Sequence, residues 1–408
     1  YKIRGLIIVT RNTVYIVGTF DTKSQELLFV RDLLKQKNLN VISVDVSTSK
    51  NTDPRADISP QDVAKLHPLG LNNVFTGDRG TAVSAMALAL INFLTSKKDL
   101  AGVIGLGGSG GTALISPALQ KLDIGVPKII VSTMASGNIA PYVGTSDICM
   151  IYSVTDICGL NPILEKILSN AACSLQGMID NDYRPKPSTK PVIGLTMFGV
   201  TTPCVETVQK YLQDQRNCLI FHATGTGGKT LEKLADGGHF EGVLDITTTE
   251  VADLLMGGVL SAGDDRLGAF IRNEIPYVGS CGALDMVNFG APSSVPERYQ
   301  DRLFYEHNPH VTLMRTTASE NQQMAKWIGN KLNQFKVPPR FLIPMAGFSA
   351  LDAKGQAFYD QEADAQFIKT LENTVNKNVT LIKLPYHIND PEFSKALADN
   401  YLDLTQRK

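Results

Sequence analysis

The chain has 408 residues, 39 Lys and Arg against 40 Asp and Glu, six cysteines and 34 glycines. At about 100–200 residues per domain this length accommodates two domains, and 43% apolar with only 19% charged residues excludes a disordered chain. A formal net charge of −1 excludes a general electrostatic footprint for nucleic acid or an anionic membrane surface.

In chain order, residues 1–9 have the outline of a secretory leader, but the apolar stretch is too short and no small-residue cleavage site follows. A strand is expected over residues 5–9, and the lack of an initiator methionine marks the segment up to Asn12 as a trimmed or doubtful end. Strand patterns at 14–17, 41–46, 102–106 and 128–131 alternate with helical ones at 24–37 and 82–94. Short apolar runs between helices of this length indicate βαβ units and a parallel sheet. The 82–94 run has 13 residues, interrupted by Ser84 and Asn92, and falls short of the roughly 20 that span a bilayer. It reads as a buried helix.

Residues 180–191 carry three prolines with charge and no periodicity, the signature of a linker. The alternation restarts with strands at 192–197, 218–221, 242–246, 277–279, 341–343 and 380–384. The expected fold is therefore α/β, two Rossmann-like doubly wound domains with mainly parallel sheets, one over 1–185 and one over 186–408. Such sheets bind ligands beyond the carboxyl ends of their strands, so the cleft between the domains is the default expectation. The six cysteines have no paired spacing, which predicts reduced, buried thiols in a cytoplasmic protein.

Glycines cluster directly after the expected strands. In Gly105-Leu106-Gly107-Gly108-Ser109-Gly110-Gly111-Thr112, five glycines in seven residues let backbone N–H groups approach an anion, and a helix start adds more. The G-x-G-x-x-G spacing fits Gly105, Gly107 and Gly110, but that fingerprint belongs after a first strand, with an acidic residue about 20 positions on. Asp123 lies only 13 residues past Gly110, which argues against NAD and for a phosphate or carboxylate. A second run, Ala223-Thr224-Gly225-Thr226-Gly227-Gly228-Lys229-Thr230, nearly matches G-x-x-x-x-G-K-[ST], with Ala223 where the first glycine belongs. This argues against a true P-loop ATPase and for a second phosphate- or hydroxyl-facing loop, or simply a capped helix start. A third, Gly18-Thr19-Phe20-Asp21-Thr22-Lys23, either caps its helix through Asp21 or Thr22 or sets Lys23 beside an anion.

Further polar groups at strand ends, Thr133, Ser136, Gly137, Thr247, Thr248, Glu250, Gly282 and Asp285, suit a ligand held by neutral donors with Mg²⁺. No His/Cys metal framework is visible. His222 and His387 could serve as acid or base or simply as hydrogen-bonding groups, and Cys281 is an unsupported nucleophile candidate.

The runs AGVIGLGGSGGT at 101–112, TMFGVTTPC at 196–204, LDITTTEVAD at 244–253, GALDMVNFG at 282–290 and LPYHIND at 384–390 resemble the tomato mosaic virus resistance protein family. That family comprises a plant inhibitor of viral RNA replication and its uncharacterised bacterial and fungal relatives. The resemblance implies a two-subdomain ATP-binding module, often a homodimer, with nucleotide and Mg²⁺ near the cleft. It implies that 107–112 and 225–228 are the phosphate-facing loops. Plant members carry a further C-terminal barrel similar to phosphoenolpyruvate-utilising enzymes, so a separate barrel partner, or a longer parent chain, is an expectation here. Three functions follow as expectations: an ATP-binding enzyme or enzyme subunit acting on a small metabolite, a nucleotide-regulated dimeric inhibitory module without turnover, or a sugar-acid or phosphorylated-metabolite enzyme that uses no ATP. Neither nucleic acid nor membrane is expected as a partner.

Overall fold

The computed structural model describes residues 12–49, 53–181, 183 and 188–406. The strand expected over 5–9 and part of the 180–191 segment lie outside the described residues. The chain divides into two compact units, Tyr1–Lys186 and Pro187–Lys408.

In the first unit, strands β1 (Thr13–Gly18), β2 (Asn40–Asp45), β3 (Leu100–Gly107), β4 (Lys128–Ser132) and β5 (Cys149–Tyr152) alternate with helices. These are α1 (Phe20–Gln36), α2 (Pro60–Ala64), α3 (Arg79–Thr95), α4 (Ser109–Lys121), α5 (Ala140–Val143) and α6 (Pro162–Ile179). The strands form one wholly parallel sheet in the order β2-β1-β3-β4-β5. Both of its faces are covered, as a sheet built from βαβ crossovers requires. Val14 and Ile16 of β1 pack into one core, Tyr15 and Val17 into the other, following the period of two along a strand.

The second unit contains β6 (Val192–Met197), β7 (Asn217–His222), β8 (Gly242–Thr247), β9 (Tyr277–Gly282), β10 (Met286–Phe289), β11 (Phe304–Asn308), β12 (Val311–Arg315), β13 (Arg340–Pro344) and β14 (Thr380–Leu384). Its helices are α7 (Thr202–Leu212), α8 (Thr226–Asp236), α9 (Thr249–Met256), α10 (Gly268–Arg272), α11 (Ala318–Leu332), α12 (Gln361–Thr374) and α13 (Pro391–Gln406). Six strands form a parallel sheet, β14-β13-β9-β8-β6-β7. The remaining three make a small antiparallel sheet, β10-β12-β11, that the strand patterns did not reveal. Its outer strand β11 (FYEHN) is largely exposed, so it carries no continuous apolar run to read. Strand β5 was also missed, being only half-buried at the edge of its sheet.

Both parallel sheets share one topological feature. The chain leaves β1 to one side for β2 and returns on the other side for β3, and β6 stands in the same relation to β7 and β8. Crevices at such reversals, outside the carboxyl ends of the strands, are where open α/β sheets bind ligands.

The turn from β3 into α4 explains one glycine outright. A Cβ on Gly107 would sit 2.6 Å from the Thr112 amide nitrogen and 3.0 Å from Gly111 Cα. Both are backbone atoms and cannot swing aside. Gly107→Ala is expected to lower stability by about 1–3 kcal/mol, read as a lower urea midpoint; an unchanged midpoint would mean that this turn has slack.

Candidate functional site

Loops after β1, β2 and β3, with the start of α3, enclose a cavity of about 510 Å³ in the first unit. Thr19, Asp21, Thr22 and Lys23 line it from the first loop, Thr48 and Ser49 from the second, and Gly108, Ser109, Gly110 and Gly111 from the third. Gly77, Asp78 and Arg79 add a polar rim, while Ala82, Val83 and Leu114 form an apolar wall between α3 and α4. The cavity thus spans the β1/β3 reversal.

The three loops satisfy their backbone groups differently. Helix α1 is capped from outside its own sequence: Asp45 Oδ1, at the end of β2, accepts the Phe20 N–H at 3.1 Å, and Ser47 Oγ accepts the Asp21 N–H at 3.1 Å. This corrects the expectation that Asp21 or Thr22 caps it. The Asp21 carboxylate instead accepts from Ser49 Oγ at 2.8 Å, and Thr19 and Thr22 share a hydroxyl contact at 2.9 Å. Burial pushes the Asp45 carboxyl above the usual range, against the hydrogen bonds that it accepts from Ser47 and Phe20.

Helix α4 is the opposite case. Its N-cap Gly108 has no side chain to accept a bond, and the first helical amide with an acceptor is Thr112, on the Gly108 carbonyl at 2.9 Å. The Ser109, Gly110 and Gly111 N–H groups have no acceptor among the described residues. Open amides at the start of a 13-residue helix suit an anion through both their hydrogen bonds and the helix dipole. Arg79 reinforces it: its guanidinium lies 3.4 Å from where a Cβ on Gly110 would stand, and it has no ion pair among the described residues. Lys23 also lines the cavity, but its Nζ donates to the Ile157 carbonyl at 2.7 Å.

Several expected residues lie elsewhere. Thr112 is buried, its hydroxyl 2.6 Å from that of Ser132, and Gly18 is buried against Leu27. Thr133, Ser136 and Gly137 stand at the end of β4 and do not line the cavity.

The expected loop of the second unit is already filled. Glu250, 1% exposed, places Oε1 2.7 Å from the Gly225 amide and 3.0 Å from the Gly228 amide. A Cβ on Gly228 would meet that carboxylate at 2.1 Å, so the glycine makes room for an internal anion. Arg266 holds the other oxygen at 2.8 Å and also pairs with Asp245 and Glu232. Burial pushes both glutamates up, and the Arg266 charge pulls them back only in part. Thr226 and Gly227 open α8 on this same turn.

The remaining strand ends of this unit are closed by internal bonds. Thr247 pairs with the Thr201 hydroxyl at 2.7 Å, and Thr248 donates to the Ser280 carbonyl at 3.0 Å. Gly282 ends β9 against the Ile246 carbonyl. His387 Nδ1 accepts from the Asn389 amide, so Nε2 carries the proton and donates to the Ser349 carbonyl at 2.9 Å. His222 packs on Phe198 with ring centroids 5.4 Å apart. Cys281 is fully buried and its thiol is pushed well above the ordinary value, which removes it as a nucleophile. Of the six free cysteines only Cys204 and Cys281 are buried, and Cys158 and Cys173 are exposed, contrary to the expectation of buried thiols.

Asp285 belongs to a buried acidic group. Its Oδ2 accepts from Ser349 at 2.8 Å and its Oδ1 has no partner. Arg315 lies 3.4 Å from Asp352 and 2.9 Å from Asp364. Three carboxyls face one guanidinium, so burial and mutual repulsion push Asp285 up to about 6 and Asp352 to about 9.

Residues 12–184 match the N-terminal domain, and 190–405 the C-terminal domain, of the uncharacterised protein family UPF0261. The chain belongs to this family. A UPF0261 protein of Mesorhizobium japonicum is 53% identical over 396 residues, covering 96% of this chain and 99% of that one. The ToMV resistance protein Tm-1 of Solanum lycopersicum is 44% identical over 421 residues, covering 97% of this chain and 56% of that protein. The ToMV susceptible protein of the same plant is 42% identical over the same length.

In this UPF0261 chain the cavity gathers Thr19, Asp21, Thr22, Lys23 and 108–111 from the expected site, and adds Thr48, Ser49 and Arg79. Ser47, Thr48 and Ser49 form a polar run after β2, and that run was a readable signal. Arg79, between Gly77 and Gly80, offered none, because those glycines follow no strand. Among the described residues no group of three or more His, Cys, Asp or Glu could hold a metal ion, and no helix is long and apolar enough to cross a membrane.

Two outcomes test these assignments. Glu250→Ala leaves the Arg266 Nε and two buried amides without an acceptor and is expected to cost about 3–5 kcal/mol, seen as a large fall in melting temperature. A small fall would mean that the carboxylate is replaceable by water. The raised carboxyls Asp285 and Asp352 keep protons in the fold that the unfolded chain releases near pH 4. Stability should therefore fall as pH rises from about 4 through 9, and Asp352→Asn should flatten the decline in urea midpoints. A midpoint that rises between pH 5 and 9 would contradict the raised values.

Proposed function

We propose that the first unit binds a nucleotide, ATP, with its phosphate chain on the Ser109, Gly110 and Gly111 amides and Arg79. The open amides of α4 carry this reading: three N–H groups and one guanidinium, all without a partner among the described residues, stand at a cavity whose size falls within the roughly 300–1,000 Å³ of small-molecule sites. The apolar wall of Ala82, Val83 and Leu114 favours a ligand with a flat apolar part over a simple sugar phosphate.

Mg²⁺ fits the same place. It is commonly held by one or two carboxylates together with substrate phosphates and water, and Asp21 with the Thr19 and Thr22 hydroxyls supplies such a set. The ion would neutralise phosphate charge there. The virus-related names of the tomato relatives describe those proteins, and antiviral action is no part of this reading.

Calorimetry with Mg-ATP is the test. Arg79→Ala should weaken binding about tenfold, the worth of one charge-assisted contact. Gly110→Asp, which sets a carboxylate among the open amides, should abolish it; unchanged binding in that variant would sink the assignment. Inorganic triphosphate binding as tightly as ATP would remove the apolar wall from the site.

A further inference from the structure

The loop between β5 and α6, residues 153–161, is held to α1 by two polar ties. Lys23 Nζ donates to the Ile157 carbonyl at 2.7 Å, and the Gly159 amide donates to Glu26 Oε1 at 2.6 Å. Lys23 and Glu26 are three residues apart on α1 and so share a face. The loop is strained: Val154 has φ +61°, a conformation that a β-branched residue rarely adopts. It also displays apolar surface, with Val154 56% exposed and Tyr152 and Leu160 exposed beside it.

Lys23 itself sits at a break. Its φ of −134° and ψ of 24° interrupt α1, so the first turn of that helix is a separate short segment. Lys23 lines the cavity while its ammonium is spent on a neutral carbonyl of the 153–161 loop. A phosphate offers the ammonium an opposite charge, which the Ile157 carbonyl does not.

We propose that an anionic ligand in this cavity draws Lys23 away from Ile157 and so loosens the 153–161 loop, making the loop a reporter of occupancy. This rests on the nucleotide-binding reading above. Once Lys23 turns to phosphate, the Ile157 carbonyl loses its donor and must turn toward water. Gly159 is only two residues on, and its amide leaves Glu26 with that rotation. The Ile157 side chain stays packed in the core against α1 and α6, so the change is confined to the loop backbone and its exposed apolar residues. Occupancy is thereby converted into a change of surface far along the chain from the phosphate loop.

Hydrogen exchange on the intact protein, read on a peptide covering 153–161, tests this with and without Mg-ATP at a concentration shown by calorimetry to saturate. Exchange should rise about tenfold with ATP, the equivalent of one lost hydrogen bond. Lys23→Met should show the raised rate without ATP and no further rise with it, while Lys23→Arg keeps a donor and should behave as the parent chain. If ATP binds and exchange over 153–161 does not change, the switch is overturned while the binding site stands. If Lys23→Met leaves exchange unchanged, the tie does not hold the loop and the proposal fails. Absence of ATP binding in calorimetry overturns both readings.

Discussion

A parallel sheet creates a recurring demand. Each strand that ends in a turn and a helix leaves backbone N–H groups pointing outward beyond the carboxyl edge, and a buried one without an acceptor costs about 1–3 kcal/mol. This chain meets the demand repeatedly with its own carboxylates. Asp45 serves the start of α1, Glu250 serves the turn before α8, and Glu232 accepts from Leu267 and Ala269 where α10 begins. The start of α4 departs from this pattern, with three consecutive amides that no described residue accepts. Against that background the open amides are a feature of the fold and not an accident of one glycine-rich turn.

Filling a turn with a buried carboxylate has an electrostatic consequence. Removing an ion from water is costly unless a countercharge goes with it. In the second unit Arg266 is that countercharge, shared among Asp245, Glu232 and Glu250, with Tyr277 donating to Asp245 at 3.0 Å. Asp245 lies on the same face of β8 as Val243, inside an otherwise apolar core, which explains why the guanidinium is fully buried with it. The Arg315 group repeats the arrangement with three aspartates. Both groups hold more acid than base, so protons make up the difference and pH reaches into the core.

The fold was legible because buried parallel strands read as apolar runs and because glycine marks their ends. Gly105 to Gly111 pointed to the proposed anion site, where Gly107 admits the helix backbone and the residues after it offer amides. The same logic applied to 225–228 met a different outcome, since an amide cradle looks identical in sequence whether a ligand or Glu250 fills it. Only the placement of Glu250 on the next βα turn decides between them, and spacing along the chain does not carry that. Arg79 was illegible for a related reason, being brought to Gly110 by the packing of α3 on α4. Strand β11 escaped because an exposed antiparallel strand lacks the apolar continuity on which the other strands were read.

Open amides and an unpaired guanidinium are least costly when something else completes them, and binding to the native state alone stabilises it in proportion to ligand excess. On the nucleotide binding proposed above, the first unit is more stable occupied than empty, whereas the turn filled by Glu250 carries its partner permanently. Two relatives from tomato, one named for resistance and one for susceptibility, are similar to this chain at 44% and 42% identity. Likeness at that level does not separate those two outcomes. What this chain itself displays is a strand-end turn that no described residue fills. In this chain that opening lies at the start of α4, within reach of Lys23 and of the loop that Lys23 holds.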